Sequence, residues 1–398
     1  MRAFALLSAL ALAGCSQQEV TCEALTAELA HCDARPQRNS CDALSATERN
    51  ELFDSFEARG CDALWKDARV DPRACRAFGW DCPATLGNEL SSGQSRHPLL
   101  LVSGIDAHAD FDWNPRIPKA LEKAGFVSYH VKLAPWATTD VRAWDLLKWL
   151  RQIPHEKVNL VCYAVGGIDC RYLVSPGGLA ADPAVAQEVW ARVASITTIA
   201  TPHRGTAVAN ALLLASDDEL AHSILNAFVG PGSFAAAPAD YALRDVLDGL
   251  TNESMNTLNE TLGDAPGIYY QSYAAVSHVL DTRFENRDDA IERACRDQSG
   301  QLRYEHHPET RDVLSNLLLV TAPFASRTLS QADQPIDTPS DGMVSVDSAK
   351  WGEFRGCIPA DHYDVIGQIG DSGPDPRTGF DAAVFYVNLA ADLAARGF

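Results

Sequence analysis

Lys157 to Tyr172, K-V-N-L-V-C-Y-A-V-G-G-I-D-C-R-Y, constrain the fold of this chain more than any other stretch. Val158 to Cys162 form an apolar, β-prone run, Gly166 and Gly167 close a tight turn, and Ile168, Tyr172 and Leu173 then fall at helical spacing. The pattern predicts a strand, a turn and a helix with almost nothing between them. A turn this abrupt lifts its apex residue out of a sheet and requires small neighbours so that the backbone can bend. The apex residue here is Ala164, and Cys162 stands two positions before it.

Three further regions give that turn a context. Pro98 to Gly104 (P-L-L-L-V-S-G) reads as a buried strand ending in Ser103-Gly104, and Ser195 to Thr206 (S-I-T-T-I-A-T-P-H-R-G-T) as a strand with its following loop. Ser340 to Val346 (S-D-G-M-V-S-V) and Asp361 to Asp364 (D-H-Y-D) then supply an acid and a histidine, in that order. Between these regions, Ile117 to Ala124 reads as a helix, Phe126 to Leu133 as a strand, and Val141 to Ile153 as an amphipathic helix with Trp144, Leu147 and Leu150 inward. Strands alternating with helices in this way predict a doubly wound, mostly parallel α/β sheet.

Taken together, from about Pro98 to the C-terminus, these motifs resemble the true triacylglycerol lipases of Gram-negative bacteria, members of the α/β-hydrolase superfamily. The resemblance makes the turn a nucleophile elbow, where a serine sits at the apex and an acid and a histidine follow in chain order. It places the nucleophile at Ala164, the acid at Asp341 and the base at His362. The oxyanion donors become the backbone N–H groups of Ile105 and Val165. Asp364 and Gln368 match family positions that bind a structural calcium, with Asp312 or Asp281 as the further aspartate. The chain departs from the family at its centre: where the family reads G-H-S-Q-G-G, it reads C-Y-A-V-G-G. Several adjacent positions have changed with the serine, the pattern of a site released from acyl-enzyme chemistry. His203, in T-P-H-R-G, precedes the acid and is therefore read as structural.

The first residues carry a different signal. Met1-Arg2, an apolar run from Ala3 to Ala13 and Leu12-Ala13-Gly14-Cys15 resemble a bacterial lipoprotein signal, with Cys15 lipidated and Ser16 pointing to the outer membrane. Residues 16–95 hold Cys22, Cys32, Cys41, Cys61, Cys75 and Cys82, an even set that predicts disulfides in an exported, helical module. A linker is expected over Leu86 to Arg96. The hydrolase-like domain then takes 96–398, with a lid at about 207–262 and a charged, solvated insertion at about 278–339. Within that domain, Cys295 and Cys357 are candidates to pair, whereas Cys162 and Cys170 read as small buried fillers. Asp106, His108, Asp110 and Asp112 read as a solvated loop. A net charge of -20 argues against nucleic acid and anionic headgroups as partners, so membrane attachment falls to the lipid.

Three functions follow as expectations. The first is an envelope-anchored, lipase-like protein that binds an acyl ester, lipid or envelope partner without turnover. The second is a working carboxylic-ester hydrolase, with Ser103 or Tyr163 as substitute nucleophile or water activated by Asp341-His362. The third assigns the activity to the cysteine-rich module, as a binder of another envelope component.

Overall fold

A computed structural model of the protein describes residues 20–31, 41, 44–59, 95–105, 112–214, 243–278, 285–297, 300, 312–319, 321–329, 335–368, 374–375 and 378–398. The chain divides into two compact units, Met1–Cys82 and Pro83–Phe398. In the first, helices α1 (Cys22–His31) and α2 (Ala46–Arg59) bury Leu25, Leu44 and Leu52, and a disulfide joins Cys22 to Cys41. The second helix starts in a capping box: Ser45 Oγ accepts from the Glu48 N–H while the Glu48 carboxylate accepts from the Ser45 N–H. Cys15, Cys32, Cys61, Cys75, Cys82 and most of the expected linker lie outside the described residues.

The second unit is a six-stranded parallel sheet in the order β2-β1-β3-β4-β5-β8. Its strands are β1 (Leu99–Val102), β2 (Ser128–Val131), β3 (Val158–Tyr163), β4 (Val193–Ile199), β5 (Tyr269–Ala275) and β8 (Glu353–Ile358). Strands buried on both faces read as unbroken apolar runs, which is why Leu99 to Val102 and Val158 to Tyr163 show no alternation. Their side chains nevertheless divide by parity. Leu99, Leu101, Val161 and Tyr163 pack on one face with helices α3 (Arg116–Lys123) and α13 (Ala382–Ala395). Leu100, Val102, Leu160 and Cys162 pack on the other with α4 (Thr139–Gln152), α5 (Gly166–Val174) and α6 (Pro183–Arg192). The chain leaves β1 for β2 on one side and continues from β3 on the other, so the winding reverses between β1 and β3. A crevice for ligands opens at the carboxyl ends of such a pair.

Three expectations change. Helix α4 turns Arg142, Ala143, Leu146, Leu147 and Leu150 inward, while Trp144 is largely exposed. Cys162 and Cys170 form a disulfide between β3 and α5, because an abrupt turn sets the strand's last residues against the first turns of its own helix. The insertion at about 278–339 is not wholly solvated. Ile291, Cys295, Leu314, Leu318 and Ala322 are core residues, and a short antiparallel hairpin, β6 (Arg327–Leu329) with β7 (Pro335–Asp337), closes the segment. The expected pair, Cys295 with Cys357, forms and fastens this insertion to β8.

Of the lid region, helices α7 (Ala207–Leu214), α8 (Leu243–Gly249) and α9 (Asn252–Thr261) are described, and 215–242 lie outside. Among the described residues no helix is long and apolar enough to cross a membrane.

Candidate active site

The elbow is built from close approach. Ala164 has φ 48°, a left-handed conformation that costs an L-residue about 1–2 kcal/mol. It is held by the Ala164 N–H donating to Ile199 O and by Gly167 N–H donating to Ala164 O. Gly166 and Gly167 are needed for space: a Cβ at 166 would strike the Ser103 carbonyl, and one at 167 the Thr201 side chain. The apex methyl of Ala164 is therefore presented at the β1/β3 crevice, where the resembling family carries a hydroxyl.

Acid and base meet beside it. His362 Nδ1 and Asp341 Oδ2 lie 2.8 Å apart, and the His362 N–H donates to Asp341 O at 3.0 Å. The other carboxylate oxygen, Oδ1, accepts from the Met343 and Val344 N–H groups at 2.9 and 2.7 Å. Asp341 is fully buried, so this carboxylate is fixed by three bonds and in turn fixes the imidazole ring. Tyr163, the residue before the apex, places its ring 5.2 Å from that of His362 and donates its hydroxyl to His362 O at 2.8 Å. No described group bonds His362 Nε2.

The loop after β1, where the resemblance places an oxyanion donor, lies over the turn. A Cβ at Gly104 would stand 3.0 Å from the Tyr163 ring and 3.5 Å from Ala164 Cβ. Ile105 and Val165, which carry the two predicted donors, share one apolar cluster with Ile168 and Met255. Neither N–H has an acceptor among the described residues. The carbonyl behind the Ile105 N–H is occupied: Arg142 donates to Gly104 O at 2.7 Å, and also to Ser103 O at 3.2 Å and Ala134 O at 2.9 Å. The Gly104 carbonyl belongs to the same peptide as the Ile105 N–H, so Arg142 both aims that N–H outward and polarises it. Arg142 is fully buried and pairs with Asp169 of the elbow helix at 2.7 Å. Burial pushes the Asp169 carboxyl up to about 6, against the pull of Arg142. Sequence reading missed this pair; the signal was Asp169, an acid three residues into an apolar helix.

The substitute nucleophiles are not brought to the imidazole in a usable form. Tyr163 uses its hydroxyl on a carbonyl, and burial, then Tyr363 and Asp341, hold that phenol well above its usual range. Ser103 is fully buried beneath the loop, where its Oγ accepts from the Leu133 N–H. His203 is buried as well; Arg171 donates to its Nδ1 at 3.1 Å and Thr198 Oγ1 lies 2.9 Å from its Nε2. Burial, then Arg171 and Arg204, push its pKa well down and keep it neutral.

For the expected calcium, no group of three or more acidic, histidine or cysteine side chains converges among the described residues. Gln368 spends its amide on Asp112 O at 2.6 Å. Asp281, His108, Asp106 and Asp110 lie outside the described residues, whereas Asp112 is buried and pairs with His130 and Lys132. Asp312 is buried with no partner for Oδ2, and burial, then Asp361, hold its carboxyl well above the usual range. Asp361 supports the histidine loop instead, accepting from the Ser315, Tyr363 and Asp364 N–H groups. Among the described residues none closes a cage around Asp364 and Gln368.

No protein-family model matches the chain. It is 23% identical over 303 residues to triacylglycerol lipase 2 of Saccharomyces cerevisiae, across 71% of this chain and 73% of that protein. Triacylglycerol lipases of Pseudarthrobacter phenanthrenivorans and Burkholderia plantarii are each 31% identical over 149 residues. Those alignments cover 34% of this chain and only 43% and 38% of the two bacterial proteins. Among solved structures, lipase 1 from Pelosinus fermentans superposes with a TM-score of 0.50 at 17% identity, over 75% of this chain and 99% of that one. A metagenomic carboxyl esterase gives 0.50 at 16% identity, over 77% and 78%. Likeness at this identity speaks to the fold. With a parallel sheet and an abrupt strand-turn-helix at its switch point, the chain has an α/β-hydrolase fold, and part of its sequence is similar to triacylglycerol lipases.

Proposed function

We propose that this protein is an acyl-binding lipase homologue that has lost acyl-enzyme turnover and is carried at the bacterial outer membrane by a lipid on Cys15. The observation that carries the reading is Ala164 at φ 48° beside a formed Asp341-His362 pair. The left-handed turn at Ala164 is the kind on which the resembling family presents its serine. It persists here with its acid, base and oxyanion donors, and lacks only the hydroxyl that His362 would deprotonate. Removing that nucleophile from a serine hydrolase costs on the order of 10⁶ in kcat. The remaining groups bind and orient an acyl carbonyl.

A second reading rests on the free His362 Nε2, which can take a proton from a water in the space left by the missing hydroxyl, making the protein a slow esterase. Hydrolysis of short and long p-nitrophenyl esters separates the two, with the parent, Ala164→Ser and His362→Ala side by side. An inert parent and a turnover gain in Ala164→Ser support the binder. Turnover by the parent that His362→Ala abolishes supports water activation and overturns the first reading.

A further inference from the structure

At the end of the sheet opposite the turn, a cavity of about 480 Å³ opens at the amino ends of β1, β3 and β4. Two short segments supply most of its chemistry, Arg96-His97-Pro98 before β1 and His155-Glu156-Lys157 before β3. The strands pair Leu99 with Asn159, so His97 and Lys157 each stand two positions ahead of the same rung. Both segments are held from behind. Asn159 donates its side-chain amide to His97 O at 3.3 Å and its N–H to Pro98 O at 2.8 Å, while Arg192 donates to Ile153 O and His155 O at 2.8 and 2.9 Å. The Tyr129 hydroxyl lies 2.9 Å from His155 Nε2 and orients that ring. In a chain with 53 acidic and 33 basic residues, what these segments gather is cationic. Arg96 and Lys157 both line the cavity, and neither side chain has a hydrogen bond or ion pair among the described residues. Burial, then Arg96 and Lys157, lower the His97 pKa, against the weaker opposite pull of Glu156. The field at that imidazole is therefore positive, although an acid stands close by.

We infer that this cavity binds a small phosphomonoester, its phosphate held by Arg96 and Lys157 and its organic part lying toward Ala194 and Gly267. A guanidinium presents a planar fork and an ammonium a point charge, and the two come from different strands. One guanidinium saturates a planar carboxylate, whereas a phosphate has oxygens left for a second cation and for an imidazole N–H. The volume falls in the range of small-ligand sites, ~300–1,000 Å³, and exceeds what a phosphate alone would fill. Room for the rest lies at Gly267, where no atom stands within 4 Å of the place a Cβ would take. Charge decides the size of the ligand. A net charge of -20 repels polyanions and anionic membrane surfaces, whereas a small ligand inside the cavity feels mainly the charges within a Debye length, about 8–10 Å. The segments are fixed by the fold before any ligand arrives, so little ordering cost offsets the gain. The cavity lies at the amino ends of the strands and the turn at their carboxyl ends, so this inference stands apart from the reading of Ala164.

Isothermal titration of the full chain with ribose 5-phosphate, ribose and inorganic phosphate tests it. Ribose 5-phosphate is expected to bind, ribose is not, and inorganic phosphate should bind roughly tenfold more weakly than the ester. Arg96→Gln and Lys157→Gln should each weaken the ester roughly tenfold, the loss of one charge-assisted contact. Glu156→Gln removes the acidic side chain of the lining and should tighten binding roughly threefold, a gain that a folding defect cannot imitate. Lys148→Gln, at a lysine outside the cavity, should leave affinity unchanged. Absence of ribose 5-phosphate binding at millimolar concentration overturns the inference, as does an affinity that neither Arg96→Gln nor Lys157→Gln changes. Inorganic phosphate binding as tightly as the ester overturns the organic ligand. Pelleting with phosphatidic acid vesicles that Arg96→Gln abolishes, without binding of ribose 5-phosphate, would assign these cations to a lipid headgroup and overturn it too.

Discussion

At Ala164 backbone and side chain part company: the backbone adopts a left-handed bend while the side chain has nothing to donate. Because the strain is already present, a serine at this position meets the same conformation and the same neighbours, which is why the smallest restoring substitution is expected to recover turnover. The other decisive residue is Arg142, whose guanidinium ties the oxyanion loop to the elbow helix through Asp169. Arg142→Ala leaves a buried carboxylate unpaired and frees the Gly104-Ile105 peptide, and should cost about 3–5 kcal/mol in urea unfolding. A loss under about 1 kcal/mol would mean that water replaces the guanidinium and the pair is not structural. Arg142 was illegible in the sequence, where its neighbour Trp144 looks the better core residue. Only the convergence of four carbonyls and one carboxylate explains why an arginine stem is the side chain that turns inward.

Two disulfides brace the elements around the site, and they differ in what they close. Cys162 and Cys170 are 8 residues apart, whereas Cys295 and Cys357 are 62 apart. If the constraint acts on the unfolded chain, removing the first pair as a double alanine variant should cost about 2.5 kcal/mol and removing the second about 4 kcal/mol. Urea unfolding of the two variants under oxidising conditions reads the order directly, and a reversed order would show that native packing around β3 and α5 outweighs loop closure. Most elements were legible from their residues. The apolar runs of β1, β3 and β4, and the Gly-Gly turn, each follow from local pattern. The insertion was not, because its apolar residues are sparse in a charged segment and only their contact with β5 and β8 reveals that Ile291 and Cys295 complete a core.

Across the whole molecule, buried acids set the pH dependence of stability. Burial raises Asp169 to about 6, and burial followed by Asp361 raises Asp312 well above its usual range. A carboxyl whose folded pKa lies above its unfolded value of about 3.9 contributes stability below that value and loses it as pH rises through the folded pKa. Asp312→Asn should therefore gain stability over the parent at about pH 7.5 and little at about pH 4, measured by urea unfolding at both. The orphaned Asp312 Oδ2 makes calcium the informative addition. If millimolar calcium stabilises the parent and not the variant, Asp312 holds a cation; if it moves neither, the acid is merely buried. Sequence alone determined the α/β class, the order of strands and helices and which residue stands at the apex of the turn, because these lie in local periodicity and in short motifs whose spacing the backbone dictates. Tertiary structure decided which groups are satisfied. That Tyr163 spends its hydroxyl on a carbonyl, that Cys162 bonds Cys170, that Arg142 holds the Gly104-Ile105 peptide and that Asp341 is bonded on both carboxylate oxygens all depend on contacts between residues distant in the chain or folded back across a turn. Hydrogen bonds are short-ranged and directional, and no pattern along the chain records which partners the fold will bring within reach.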